Sequence, residues 1–143
     1  PSPQASRGHI VKDPIELIDI FPTIVKELGI DSPSELQGHS LYSDLHGDPS
    51  QKRSTIFSEI GAVKMLREKD LKLIHYPGQD YGELYALDQD PDEMNNLYHN
   101  PHYREERTRL GDLLLDRLIG TEAPLHGKSL RGPAYWRKLT RMA

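Results

Sequence analysis

Residues 55–87 read TIFSEIGAVKMLREKDLKLIHYPGQDYGELYAL, four short segments of β-branched, aromatic and aliphatic residues with a turn signal between neighbours. The segments are Thr55 to Glu59, Val63 to Arg67, Leu71 to Tyr76 and Glu83 to Leu87, and the breaks include Gly61, Lys69-Asp70 and Pro77-Gly78. Parallel neighbours need crossovers far longer than these connections, so the spacing predicts an antiparallel meander. In the third segment Leu71, Leu73 and His75 alternate with Lys72, Ile74 and Tyr76. Both faces carry apolar residues, which predicts cover on part of the second face too.

Upstream, residues 1–12 hold Pro, Ser and Gly without an apolar period and read as a loop. Asp13-Pro14 has the chemistry of a helix start, and Asp19 offers a second start three residues before Pro22. Phe21, Ile24, Val25 and Leu28 then share one apolar stripe, which Gly29 can end in the left-handed conformation. Residues 31–53 are rich in Pro, Gly, Ser and Asp and read as a connector, with Leu41, Tyr42 and Leu45 as a single helical turn.

Downstream, Asp88 to Leu97 is acidic but lacks the spacing and glycine of a calcium-binding helix-loop-helix. Arg104 to Leu118 predicts a helix, with Leu110, Leu113, Leu114 and Leu118 on one face and Gly120 as the stop. Its arginine-rich first turn opposes the helix dipole, so its start is open to fraying. In the remaining tail Gly127-Lys128-Ser129 lacks the strand and upstream glycine of a phosphate loop, and the arm is expected to pack back through Tyr135 and Trp136.

A chain of 143 residues corresponds to about one domain, and 36% hydrophobic against 28% charged residues leaves a modest core. A net charge of −4 gives no electrostatic case for nucleic acid or an anionic membrane. Without cysteine there is no disulfide and no zinc-thiolate site, and no apolar run approaches the ~20 residues of a membrane span.

Five motifs in order resemble the C-terminal region of the sulfatase family, in the alkaline phosphatase superfamily: Asp19-Ile-Phe-Pro-Thr23, Gln37-Gly-His-Ser-Leu41, Phe57-Ser-Glu59, Leu71-Lys-Leu-Ile74, and Glu83-Leu-Tyr-Ala-Leu87 with Asp90-Pro91, Glu93 and Asn96-Leu97. The resemblance implies an α+β chain: a small antiparallel four-stranded sheet packed by a C-terminal helix, preceded by a helix that would belong to the large α/β sulfatase domain. The implied division is 1–30 as the end of that N-terminal domain, 31–53 as connector, 54–120 as the C-terminal subdomain and 121–143 as a terminal arm. In family members the segment after Glu83-Leu-Tyr-Ala-Leu87 is a turn into the last helix.

The family's chemistry uses a formylglycine made from Cys or Ser in a C/S-x-P-x-R motif, together with Ca²⁺ or Mg²⁺. This chain has no Cys, Ser2-Pro3 has the wrong register, and neither an Asp-Asp nor an Asp-Asn pair is present. No catalytic residue and no metal ligand is therefore assigned, and the chain alone is expected to be inactive. Both groups, and the attack on sulfur, are implied for an N-terminal catalytic domain of the same protein acting on a sulfated substrate. The resemblance leaves this chain a role in completing the fold and the pocket rim, where His39, Glu59 and His75 are candidates beside their plainer reading as structural or surface residues. Two alternatives stay open, a phosphonate or phosphate ester hydrolase of the same superfamily and a non-catalytic binding or scaffold module. The apolar stripe further suggests a homodimer. A periplasmic, secreted or lysosomal-type compartment would follow only if the protein is typical of its family.

Overall fold

In a computed structural model the chain is described at Ile10, residues 13–31, Pro33, residues 36–47 and residues 53–122. The residue 55–87 segments form the predicted meander: β1 (Thr55–Ile60), β2 (Val63–Glu68), β3 (Leu71–His75) and β4 (Gly82–Ala86), antiparallel and in spatial order β1-β2-β3-β4. The turns fall at the predicted punctuation, with Gly61, Lys69 and Gly78 all at positive φ. β1 and β2 each run one residue further than the sequence spacing suggests, β3 stops at His75 rather than Tyr76, and β4 is shifted back by one.

Register explains the core. Phe57 pairs with Leu66, Leu66 with Leu73 and Leu73 with Leu84, so one row crosses all four strands on a single face. That face is covered by α3 (Arg104–Glu122), whose Leu110 and Leu114 are buried against Leu66, Leu73 and Leu84, with Leu113 and Leu118 at the margin. Burying each such leucine contributes roughly 1.5–3 kcal/mol.

α3 corrects two expectations. Its start is held rather than frayed: the Asn100 side chain accepts from His102 N, a 3-10 turn over Pro101–Tyr103 leads in, and Glu105 and Glu106 balance the first-turn arginine. Its end lies beyond Gly120, because glycine inside a helix costs only about 1 kcal/mol relative to alanine and need not terminate it.

The segment before the sheet also differs from expectation. Asp13-Pro14 starts no helix; a 3-10 turn at Leu17–Asp19 leads into α1 (Ile20–Glu27), which ends at Gly29 with φ +67°. The Asp19 carboxylate caps backwards, accepting Glu16 N at 2.8 Å, instead of serving the first N–H groups of α1. In the connector, α2 (Tyr42–Leu45) is the expected single turn. Among the described residues no helix is long and apolar enough to cross a membrane.

Past β4 the acidic segment closes the edge of the sheet. Asn96 Oδ1 accepts from Leu84 N and its Nδ2 donates to Gly82 O, while Leu97 N donates to Leu84 O. The Tyr98 ring lies directly over Gly82, where any Cβ would fall inside the ring. Gly82→Ala should therefore cost about 1–3 kcal/mol in urea unfolding, as overpacked sites do. An unchanged midpoint would show that Tyr98 does not occupy this place.

Candidate functional site

The most buried charges of the described chain lie between α1 and the sheet. Glu16, Asp19 and Arg53 are all nearly sealed from solvent. Asp19 Oδ1 accepts from Arg53 at 2.5 Å and from His39 N at 2.8 Å. Glu16 Oε1 accepts from Phe57 N at 2.7 Å, and its Oε2 pairs with Arg53 at 3.1 Å and Arg117 at 2.9 Å. Thr23 completes the joint, donating to Asp19 O and accepting from Leu41 N. Three separate stretches, the 37–41 segment, the start of β1 and α3, thus meet on two carboxylates that immediately precede α1. Gly38 permits the approach, since a Cβ there would collide with the Ile18 carbonyl.

The three rim candidates fall in two places. His39 is anchored by its backbone to Asp19, and the residue is exposed. Glu59 and His75 belong to one cross-strand row: Glu59 is opposite Lys64, and Lys64 is opposite His75, on the face shared with α3. Glu59 and His75 are exposed, and Lys64 bonds to both Glu59 and the Gly61 carbonyl. This row ends at Gly82 beneath Tyr98, whose ring carries the Arg107 guanidinium 4.8 Å from its centroid.

On the opposite face of β3 and β4, Tyr76 and Tyr81 donate to Glu83 Oε1 at 2.6 and 3.1 Å, and Tyr85 donates to Oε2 at 2.9 Å. The Tyr76 hydroxyl holds the Glu83 carboxyl below its ordinary value of 4.5; burial opposes this, and Tyr85, Tyr81 and the Lys72 charge assist. Burial, with Glu83 beside it, pushes Tyr85 up to about 12. A depressed carboxyl stabilises the fold above its unfolded value and loses that contribution on acidification; a raised phenol stabilises below pH 10 and loses it towards about 12. Urea midpoints should thus fall at both pH extremes, and Glu83→Gln should weaken the acid limb most and the alkaline limb only in part, since burial still raises Tyr85. Parallel pH profiles for the two proteins would contradict the assignment.

The acidic turn spends two of its carboxylates internally. Asp90 accepts from Met94 N and Asn95 N, and both Glu93 oxygens accept from Lys72 at 2.6 and 2.8 Å. Among the described residues no group of three His, Cys, Asp or Glu is arranged to hold a metal ion.

The Leu17–Asp19 turn and α1 together bury a mixed face and expose an apolar one. Their inward face presents Asp19, Pro22, Thr23 and Val25, all buried. Their outward face presents Leu17, Ile20, Phe21, Ile24 and Leu28, with Leu17 86% exposed and Leu28 66%. The predicted stripe is therefore divided: Val25 faces the chain, and Phe21, Ile24 and Leu28 face away from it.

Sequence reasoning missed Arg53, Arg117 and the tyrosine trio. The arginines reach Glu16 across long separations and leave no local signal. Tyr81-x-Glu83-x-Tyr85 did leave one, since alternate residues about a strand share a face.

The sequence profile of the N-sulphoglucosamine sulphohydrolase C-terminal family matches residues 2–119. The chain is 30% identical over 126 residues to an N-acetylglucosamine-6-O-sulfatase of Bacteroides thetaiotaomicron, covering 78% of this chain and 23% of that protein. Among solved structures, a 2-O GAG sulfatase matches with TM-score 0.65 and 29% identity over 73% of this chain and 24% of its own. A phosphonate monoester hydrolase of Silicibacter pomeroyi matches with TM-score 0.76 and 26% identity over 83% and 28%. The chain thus spans about a quarter of the length of these relatives.

Proposed function

Because the chain belongs to the N-sulphoglucosamine sulphohydrolase C-terminal family, we propose that it is the C-terminal subdomain of a sulfatase-like hydrolase that cleaves sulfate esters of saccharides. The observation that carries this reading is the exposed apolar stripe of the Leu17–Asp19 turn and α1. A helix that turns Asp19 and Thr23 inward and Leu17, Phe21, Ile24 and Leu28 outward leaves apolar area in water at a cost of roughly 25 cal/mol per Å². The occupant is a larger catalytic part of the same polypeptide, in keeping with relatives about four times the chain's length. Pairing of two copies of this chain through the stripe is the competing occupant.

In this reading formylglycine and a divalent cation, which the family resemblance implies, belong to the larger part. The Glu59, Lys64 and His75 row lies at the pocket rim, where an ammonium and an imidazole suit the anionic, hydroxyl-rich substrate; His39 lies with the Asp19 joint. The 0.76 TM-score to a phosphonate monoester hydrolase favours one second reading, hydrolysis of a phosphonate ester.

The test is to assay the product of the whole reading frame containing this chain against N-acetylglucosamine 6-sulfate, an aryl sulfate and an aryl phosphonate monoester. Sulfate release from the saccharide is expected, with no turnover of any ester by the 143-residue chain alone. Preference for the phosphonate would favour the second reading. Inactivity of the whole protein on all three would favour a binding or scaffold module, and metal-dependent turnover by the isolated chain would overturn the proposal.

A further inference from the structure

The Tyr76, Tyr81, Tyr85 and Glu83 cluster lies on the sheet face away from α3, opposite the Glu59, Lys64 and His75 row. Three neutral phenols donate to the Glu83 carboxylate, and among the described residues no ion pair reaches it. Lys72, on the neighbouring strand, is committed to Glu93 through both carboxylate oxygens. Among the described residues, the charge of Glu83 is therefore solvated by hydroxyls and felt by the nearby Lys72, but forms no ion pair. A carboxylate has about four acceptor positions, and the phenols fill three.

Two of the rings remain open to a ligand. Tyr81 is 48% exposed and Tyr76 partly so; their centroids are 5.3 Å apart and their planes are tilted by 53°, while Tyr85 is buried beneath. A ring face attracts a cation, and attraction strengthens where a carboxylate without an ion-pair partner stands beside the rings. A sulfate or phosphate would meet the same negative charge and is excluded. A hard metal ion needs around six oxygen ligands, which these rings do not supply.

We propose that Tyr76, Tyr81 and Glu83 form a binding site for an organic cation, and specifically for a planar alkylguanidinium such as an arginine side chain. The guanidinium stacks on the Tyr81 ring and donates to the remaining acceptor position of Glu83. Two sources can deliver it: this chain's own 123–143 stretch, which carries Lys128, Arg131, Arg137, Lys138 and Arg141 and no acidic residue, or a separate polypeptide.

The experiment follows the tyrosine ring protons of the full chain by NMR during titration with N-methylguanidinium, with neutral N-methylurea as control. Saturation by the guanidinium alone is expected. Affinity should fall roughly tenfold or more in Glu83→Gln and in Tyr81→Leu, the second being a change at an exposed position whose fold is checked by circular dichroism. A full-chain variant with Arg131, Arg137 and Arg141 all changed to Gln distinguishes the sources: tighter binding of the probe identifies the chain's own arm as competitor, and unchanged binding points to a separate polypeptide. The proposal is overturned if neither parent nor triple variant saturates, if methylurea binds equally well, or if Tyr81→Leu binds as the parent does.

Discussion

Arg53→Ala is expected to destabilise the chain by about 3–5 kcal/mol, because it strips the shared cation from two carboxylates that cannot reach water. Arg53 is the only residue among those described that touches both Glu16 and Asp19 with its side chain, and its side chain is 6% exposed. Without it Asp19 loses its ion-pair partner and Glu16 keeps only Arg117 among the described residues. Arg117→Ala should cost less, since that side chain is 24% exposed and meets Glu16 alone. A domain of this size has roughly 5–15 kcal/mol in total, so the Arg53 change should put folding at risk near body temperature. Urea unfolding of both variants checks the ranking. A loss at Arg53 below about 1 kcal/mol would mean that the network is solvated in solution and that α1 is not held as described.

The second large effect belongs to the sheet. Leu84→Ala and Leu73→Ala should each cost about 2–5 kcal/mol, because both leucines are sealed between the strands and α3. Lys72→Ala, one residue from Leu73 but on the other face, should cost about 1 kcal/mol or less, through loss of the Glu93 pair. Equal losses at all three positions would mean that strand alternation does not decide what is buried here.

The meander was legible because each strand carries its own evidence. Glycine or a two-residue turn marks the breaks, and a period of two places Leu73 and Leu84 inward. The helix over Leu110, Leu113, Leu114 and Leu118 was legible for the same reason, through its period of 3.6. Errors arose where a side chain answered to a distant partner. Asp13-Pro14 has better local start chemistry than Glu16, yet the helical segment begins later because Asp19 is held by Arg53 and His39 from far along the chain. Gly120 looked like a stop, but a glycine inside a helix costs only about 1 kcal/mol and α3 runs on to Glu122. Of the candidate site, the cross-strand neighbourhood of Glu59 and His75 depends on register and follows from the meander once Lys64 is placed between them. The tyrosines around Glu83 needed only the alternation already used for the leucines, applied to the polar face.

The outward stripe of α1 is where sequence and structure together point beyond this chain, and it is the centre of the account. Its most direct test is sulfate release by the product of the whole reading frame carrying Phe21→Asp and Ile24→Asp, compared with the parent, alongside circular dichroism of the isolated chain bearing the same changes. Phe21 and Ile24 are 54% and 52% exposed here, so the isolated chain should keep its fold. The whole protein should lose activity on the order of 100-fold or more, because two carboxylates would have to be buried unpaired at the docking face. Parental activity in the double variant would show that α1 docks on nothing the reaction needs, and would contradict the account.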